Sequence, residues 1–296
     1  MISIVIPLYN KEQQVARTLR SVLGQTFREF EVVVVDDGST DNSVAVVRGF
    51  DDSRIRIVGQ PNSGVAAARN RGIAEAHYDL VAFVDADDEW KPEYLQTQYE
   101  LYCKYPGCSV FATAYEFRKP SDEIVKARFN RRPFDGGSGL LDEYFMVASK
   151  FDPPLWTSAV MVRKSALQAV GGFQVGVKSG EDLLTWARLA CRGSIACCDT
   201  PLAVYCQGYS NPRPPEPYDI VGNQFEVLLG SNRGLPGLRY YVAFWYKMRM
   251  CRCLAHKMWK AAIKALFKSL RFDPLQLRIF KSMVLFTKIG LRQNRK

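Results

Sequence analysis

Apolar residues in the first 84 positions fall into short blocks separated by joints rich in Gly, Asn, Asp and Pro. Ile2 to Ile6 is an apolar strand halted by Pro7. Asn10 is then placed to cap a helix in which Val15, Leu19, Val22 and Leu23 recur at helical spacing up to Gly24. Phe30 to Val35 is an unbroken, β-branched run, the mark of a strand covered on both faces, and it ends in Asp36-Asp37-Gly38-Ser39. A helix from about Asp41 to Arg48 and a strand at Ile55 to Val58 follow. Asn62-Ser63-Gly64 introduces an alanine-rich helix, Val65 to Ala76, and Leu80 to Val84 is again an apolar strand. This alternation predicts an α/β fold of the Rossmann-like kind, a mostly parallel sheet with helices on both faces.

In such sheets ligands bind just beyond the carboxyl ends of the strands. Three polar groups lie there: Pro7 to Asn10, Asp36-Asp37 and Asp85 to Asp88. Asp85, Asp87 and Asp88 follow the fourth strand without a spacer. Carboxylates so close raise one another's pKa unless a cation or hydrogen-bond donors compensate, and a divalent metal carrying a phosphate is one such compensator. A solvated acidic turn ahead of the helix after Pro92 is the plainer alternative. Tyr9 offers either a face for a stacked base or a core ring, and Asp37 either an acceptor for an imide N–H or, with Asp36, a helix cap. Arg69 can meet a phosphate or form a surface ion pair. The chain has no P-loop, and no Gly-x-Gly-x-x-Gly follows the first strand, which turns attention away from dinucleotide binding.

Composition adds an asymmetry of charge. The 296 residues are 47% hydrophobic and 24% charged, ordinary for a globular chain able to bury a full core. The net charge of +10 is carried by residues 233 to 296, where 16 Lys and Arg face one acid, Asp273; the rest is mildly acidic, at −5. Eight cysteines form no Cys-x-x-Cys pair, so reduced and mostly buried thiols are expected, as in a cytosolic protein. The chain opens directly on a strand, without a signal-peptide leader, and no apolar run is long enough to cross a membrane. The active region is therefore expected to face the cytoplasm.

Four runs in this order, SIVIPLYN, EVVVVDDGSTDNS, NSGVAAARNRGIAEA and FVDADDEWKP, resemble the family 2 glycosyltransferases of the GT-A fold. The resemblance covers roughly the first 200 residues. It implies transfer of a sugar from a nucleotide-diphosphate donor, most simply a UDP-sugar, with inversion at the anomeric carbon and a Mn2+ or Mg2+ ion. Carried over residue by residue, Pro7 and Tyr9 lie against the base, Asp37 binds its imide edge, Arg69 sits near the nucleotide, Asp85 reaches the ribose and Asp87 the metal. The resemblance also implies a later acidic pair, supplied by Glu181 and Asp182 ahead of a helix, Leu183 to Arg192. A single displacement needs one base at the acceptor hydroxyl; Asp182 is assigned that role, with Glu181 as the rival. Trp156 to Arg163, leading to a short helix and Gly171-Gly172-Phe173, resembles the segment under donor sugar and acceptor, or is a core strand. Glu116 to Lys150 suits a variable loop shaping the acceptor site, and His77 and His256 are isolated.

Two domains are expected: a nucleotide-sugar-binding catalytic domain over 1–218 and a basic, helical tail over 219–296. Lys257, Lys260, Lys264, Lys268 and Arg271 draw one cationic stripe on a helix, with Met258, Ala262, Leu266 and Leu270 as its apolar stripe. Leu275 to Leu291 repeats the design, with Arg278, Lys281, Lys288 and Arg292 as its basic residues. Residues 257–292 then either lie on an anionic membrane surface, peripheral to its inner face, or pack on the core. No nucleic-acid motif accompanies the charge. Expected partners are the nucleotide-sugar and a glycan or lipid-linked acceptor. The alternatives are a sugar-1-phosphate nucleotidyltransferase and a non-catalytic membrane-associated protein of the same fold.

Overall fold

A computed structural model describes residues 1–130, 137–208 and 214–275, in two compact units. The first comprises Met1–Asp142 and Pro154–Ser210, the second Glu143–Pro153 and the chain from Asn211 onward.

The first unit is built on the expected alternation. Strands β1 (Ile2–Leu8), β2 (Phe30–Asp36), β3 (Ile55–Gly59) and β4 (Leu80–Phe83) are joined by helices α1 (Val15–Leu23), α2 (Ser43–Arg48) and α3 (Val65–Glu75). The four strands are parallel in the order β3-β2-β1-β4. Alternate residues sort to opposite faces. Ile4, Ile6, Val32 and Val34 pack with Val15, Leu19 and Val22 of α1, while Val33 and Val35 meet Ala68 of α3. Every residue of β1 and β4 is buried, as unbroken apolar runs demand of central strands.

The strand does not stop at Pro7. β1 continues to Leu8, because Pro7 shares the parity of Val5, whose carbonyl accepts the Val84 N–H at 3.2 Å, and thus faces a neighbour that has already ended. The missing proline N–H costs no ladder bond there.

Beyond β4 the alternation gives way to a mixed sheet. Strand β5 (Glu89–Trp90) and helix α4 (Tyr94–Lys104) precede β6 (Cys108–Arg118), β7 (Ile124–Lys126) and β8 (Ser138–Leu140). The segment expected as a loop therefore holds two strands and the end of a third, as well as α5 (Tyr144–Ala148) in the second unit. After a 3-10 turn at Thr157–Ala159 come β9 (Val160–Arg163), α6 (Lys164–Ala169), α7 (Glu181–Ala190) and β10 (Ser194–Cys206). The sheet continues β4-β9-β6-β10-β5, with β9 antiparallel to both neighbours.

Helix α3 is brought tight against β1 by Gly72, where a Cβ would run into Val5 Cγ1. Gly72→Ala is expected to cost about 1–3 kcal/mol of overpacking, read as a lower denaturant midpoint, and to disturb Arg69 one turn earlier.

The second unit consists of α5, α8 (Ile220–Ser231), α9 (Leu238–Ala255) and α10 (Trp259–Phe272). Phe145 and Phe225 both pack on Tyr241 of α9, with centroids 5.6 and 5.3 Å away. The apolar stripe expected on α10 is displaced. Ala262, Ala265 and Ser269 are the buried positions, and Ser269 Oγ donates to the Ala243 carbonyl at 2.7 Å. Small side chains let the two helices approach closely. In the second amphipathic segment, residues 276–291 lie outside the described residues. Among the described residues no helix is long and apolar enough to cross a membrane. The cysteines are all free, and five of the eight are buried.

Candidate active site

The candidate site lies at the carboxyl ends of β1, β2 and β4, where the first two loops are laced together. Asn10, at φ 51°, does not cap α1. A turn from Lys11 to Gln14 separates it from the helix, and its side-chain oxygen instead accepts the Thr40 N–H at 2.8 Å. Lys11 N–H donates to Ser43 Oγ at 2.7 Å, and Glu12 N–H to Asp41 Oδ2 at 3.1 Å. Asn42 N–H returns to Glu12 Oε2 at 2.9 Å. The polar run Ser39 to Ser43 thus serves the loop after β1 as much as its own helix.

Pro7 is buried in β1, whereas Tyr9, just past the strand, is 43% exposed and presents a ring outside the core. Asp37 is only 3% exposed and already accepts three bonds. Gln60 Nε2 and Ser63 N–H donate to Oδ1 at 2.7 and 2.9 Å, and Gly64 N–H to Oδ2 at 2.8 Å. A carboxylate oxygen has two lone pairs, so one acceptor position on Oδ2 remains for a ligand. Gly38, at φ 74°, makes this turn; a Cβ there would sit 3.0 Å from the Asn62 nitrogen.

The three acids after β4 part ways, each to a partner of its own. Asp85 Oδ1 accepts from Arg69 Nη2 at 2.8 Å. Asp87 is paired with the ammonium of Lys11. Asp88 turns into the core and is fully buried, taking the Ser158 hydroxyl at 2.5 Å and the Cys206 N–H at 3.1 Å. Burial, then the charges of Asp85 and Asp87, hold its carboxyl well above the usual carboxylate range. Ser158 Oγ also accepts the Asp85 N–H at 3.1 Å, so Asp88 positions the backbone of Asp85. From α1, Arg17 and Thr18 pin the same loop by donating to the carbonyls of Asp87 and Asp88 at 3.1 and 2.7 Å. Ser158→Ala removes a donor from a buried carboxylate, and a loss of roughly 1–3 kcal/mol is expected in chemical denaturation.

Arg69 is the hub. It is 3% exposed, spans from Asp85 to Glu181 Oε1 at 2.9 Å, and lies 5.2 Å over the Phe173 ring. Burial works against its charge, but Asp85 and Glu181 overcome it, so the guanidinium stays protonated. Helix α7 begins after Gly180 in the left-handed region, with Glu181 and Asp182 in its first turn, where helix dipole and acid side chains suit one another. Glu181 is buried and bound to Arg69. Asp182 is half-buried and accepts its neighbour Leu183's N–H at 2.7 Å. Desolvation, and then the charge of Glu181, push the Asp182 carboxyl up to about 7 against the pull of Arg69. A carboxyl of that affinity can take and release a proton near neutrality.

Of the sequence-predicted residues, Asp85, Arg69 and Glu181 form one bonded chain, with Asp182 next to it. Tyr9, Asp37 and Asp87 lie on the adjoining strand ends. Sequence reasoning passed over Lys11 as a partner for Asp87; its place two residues after Tyr9, past the end of β1, was the available signal. Ser158 lies within the singled-out run Trp156 to Arg163, but nothing in the sequence marked it as the partner of Asp88. His77, expected to be isolated, pairs with Glu31 at 2.9 Å.

Comparison with known proteins adds the family. Residues 3–167 match the model for glycosyl transferase family 2. GlyA of Streptococcus pneumoniae, a glycosyltransferase, is 36% identical over 120 residues, covering 40% of this chain and 17% of that protein. An uncharacterized protein of Mycobacterium tuberculosis, MT1568, is 30% identical over 214 residues, covering 69% of this chain and 66% of that one. The aligned stretches span about a third or less of the first four relatives. The crystal structure of S. aureus TarS 1-349 in complex with UDP-GlcNAc has the same fold, with a TM-score of 0.70 at 17% identity, covering 99% of this chain and 91% of that one. The motifs, the parallel half-sheet with its GT-A type architecture, and the family match over more than half its length agree: the chain belongs to glycosyl transferase family 2.

Proposed function

We propose that the chain transfers a sugar from a UDP-linked donor to a hydroxyl of a glycan or lipid-linked acceptor, by single displacement with inversion. The observation that carries this reading is the acidic pair at α7: Glu181 is committed to Arg69, while Asp182 keeps a carboxyl whose affinity for a proton suits a general base. TarS was crystallised with UDP as well as with UDP-GlcNAc, which supports the choice of nucleotide. The catalytic role belongs to the first unit, which contains every site residue; helices α8, α9 and α10 belong to the second.

Each residue then has a task. Tyr9 stacks on the base above Pro7, and Asp37 takes the imide N–H on its remaining lone pair. Asp85, steadied by Arg69 and Ser158, reaches the ribose. Asp182 removes the proton from the acceptor hydroxyl, on the face of the sugar opposite the leaving diphosphate.

For a divalent ion, the residues present fit in one way. Among the described residues no three ligating side chains converge. Asp87, just past the end of β4 and paired only with the flexible Lys11 side chain, would hold the ion from the protein side, and phosphate oxygens of the donor and water would complete its shell. When bound, such an ion stabilises the charge developing on the departing diphosphate. Lys11 neutralises Asp87 until the donor arrives, and is then free to meet a phosphate.

The direct test is UDP release from a panel of UDP-sugars with Mn2+. Release that disappears in Asp87→Ala is expected. Turnover indifferent to that change would reject the assignment.

A further inference from the structure

The outer face of α10 has no use in the catalytic reading. Trp259, Ile263 and Phe267 stand on it four residues apart, 53%, 54% and 68% exposed, in one row along the helix. Beside them runs the row Lys260, Lys264 and Lys268, of which the first two are exposed and Lys268 is drawn to Glu226 at 2.6 Å. One more turn along the apolar row is Arg271, also exposed. It opens into a cleft of about 450 Å³ lined by Arg233, Arg239, Arg271 and Phe272 together with the carboxylate of Glu226, which Lys268 neutralises. Arg239 is fixed there, its Nε donating to the Phe272 carbonyl at 2.7 Å.

This is the opposite of a face meant to pack on the core. The residues that pack are Ala262, Ala265 and Ser269, and the bulky apolar ones are left outside. A solvent-facing helix has no reason to expose a tryptophan, an isoleucine and a phenylalanine in register. An aromatic and aliphatic ridge flanked by lysines is what an interface between water and hydrocarbon selects, and the positive charge of the chain beyond residue 232 makes the match to an anionic surface.

We propose that α10 is a membrane-docking helix. Trp259, Ile263 and Phe267 enter the headgroup boundary of an anionic bilayer, Lys260 and Lys264 sit at its phosphates, and the cleft of Arg233, Arg239 and Arg271 receives a phospholipid headgroup. The tail helix lies flat on the surface, with its small-residue face against α9. This deepens the reading of a membrane-proximal acceptor but is tested apart from catalysis.

The test is co-sedimentation of the full chain with vesicles of phosphatidylcholine alone and of equal parts phosphatidylcholine and phosphatidylglycerol, without donor. Binding to the anionic vesicles only is expected, with Trp259 quenched by lipids brominated near the headgroup. Lys260→Gln with Lys264→Gln should weaken it about 30-fold, each lysine near an anionic surface counting for about fivefold. Trp259→Ser with Phe267→Ser should weaken it comparably, with the circular dichroism and the UDP affinity of both variants unchanged. Equal binding to the two vesicle types, or binding untouched by either pair of substitutions, overturns the proposal. So does a concentration-dependent dimer that Phe267→Ser dissolves, which would assign the face to a second copy. If vesicle binding holds while UDP release fails, the membrane face stands and the catalytic reading falls.

Discussion

Asp182→Asn is expected to abolish sugar transfer while leaving the donor site intact. The lost proton acceptor should lower kcat on the order of 10²- to 10⁴-fold, with UDP affinity by calorimetry unchanged, because Asn keeps the shape and the bond to the Leu183 N–H. Wild-type transfer should rise with pH through about 7 as the carboxyl ionises, and that limb should be missing from the residual activity of the variant. Stability runs the other way. A carboxyl whose folded pKa is raised binds its proton more tightly in the native state than in the unfolded chain, so its contribution is fully present in acid and is lost as pH climbs from the ordinary carboxylate range through about 7. Asp182→Asn should therefore be at least as stable as wild type above neutrality. A variant with full activity, or one with Glu181→Gln alone as inactive and Asp182→Asn unaffected, transfers the base role away from Asp182.

The second large effect is on Arg69. Arg69→Met leaves two carboxylates, Asp85 and the buried Glu181, facing one another without their cation. Removing one member of a buried ionic cluster costs about 3–5 kcal/mol. The melting temperature should fall by about 5–8 °C in a chain of this size. Lysine should not rescue it, since a single ammonium cannot bridge in the two directions that the guanidinium fork spans. Arg69→Met combined with Glu181→Gln should recover part of the loss, because one of the stranded charges is gone; a double variant no more stable than the single one would mean that Arg69 acts through packing on Phe173 instead.

Unlike the half-buried edge strand β3, strands β1, β2 and β4 were legible because they are central. Buried on both faces, they need continuous Val and Ile, and those runs end where the chain becomes polar, so both the strand and its functional end are visible at once. The acidic pair at α7 was equally plain as a pair, but which acid points to Arg69 depends on a rotation of one residue about the helix, and that is set by Phe173 and α3 from elsewhere in the chain. Asp88 was legible as an acid but not as a buried one, because Ser158 and Cys206, its partners, are 70 and 118 residues away. Asn10 looked like a cap since polar residues before a helix usually are; Thr40 offered its side chain a better neighbour. On α10, hydropathy ranks Leu266 and Leu270 above Ala265 and Ser269, but the distance between two helices is decided by size, and the small residues took the contact.

The lacing of Asn10, Lys11 and Glu12 to Thr40, Ser43 and Asp41 has an energetic corollary. A recess whose walls are already bonded to each other surrenders little conformational freedom when a guest settles in, so its affinity is not diluted by an ordering step. The amide hydrogen of Lys11, whose bond to Ser43 is partly buried, should accordingly exchange slowly even in the empty protein, and gain little further protection when nucleotide is added.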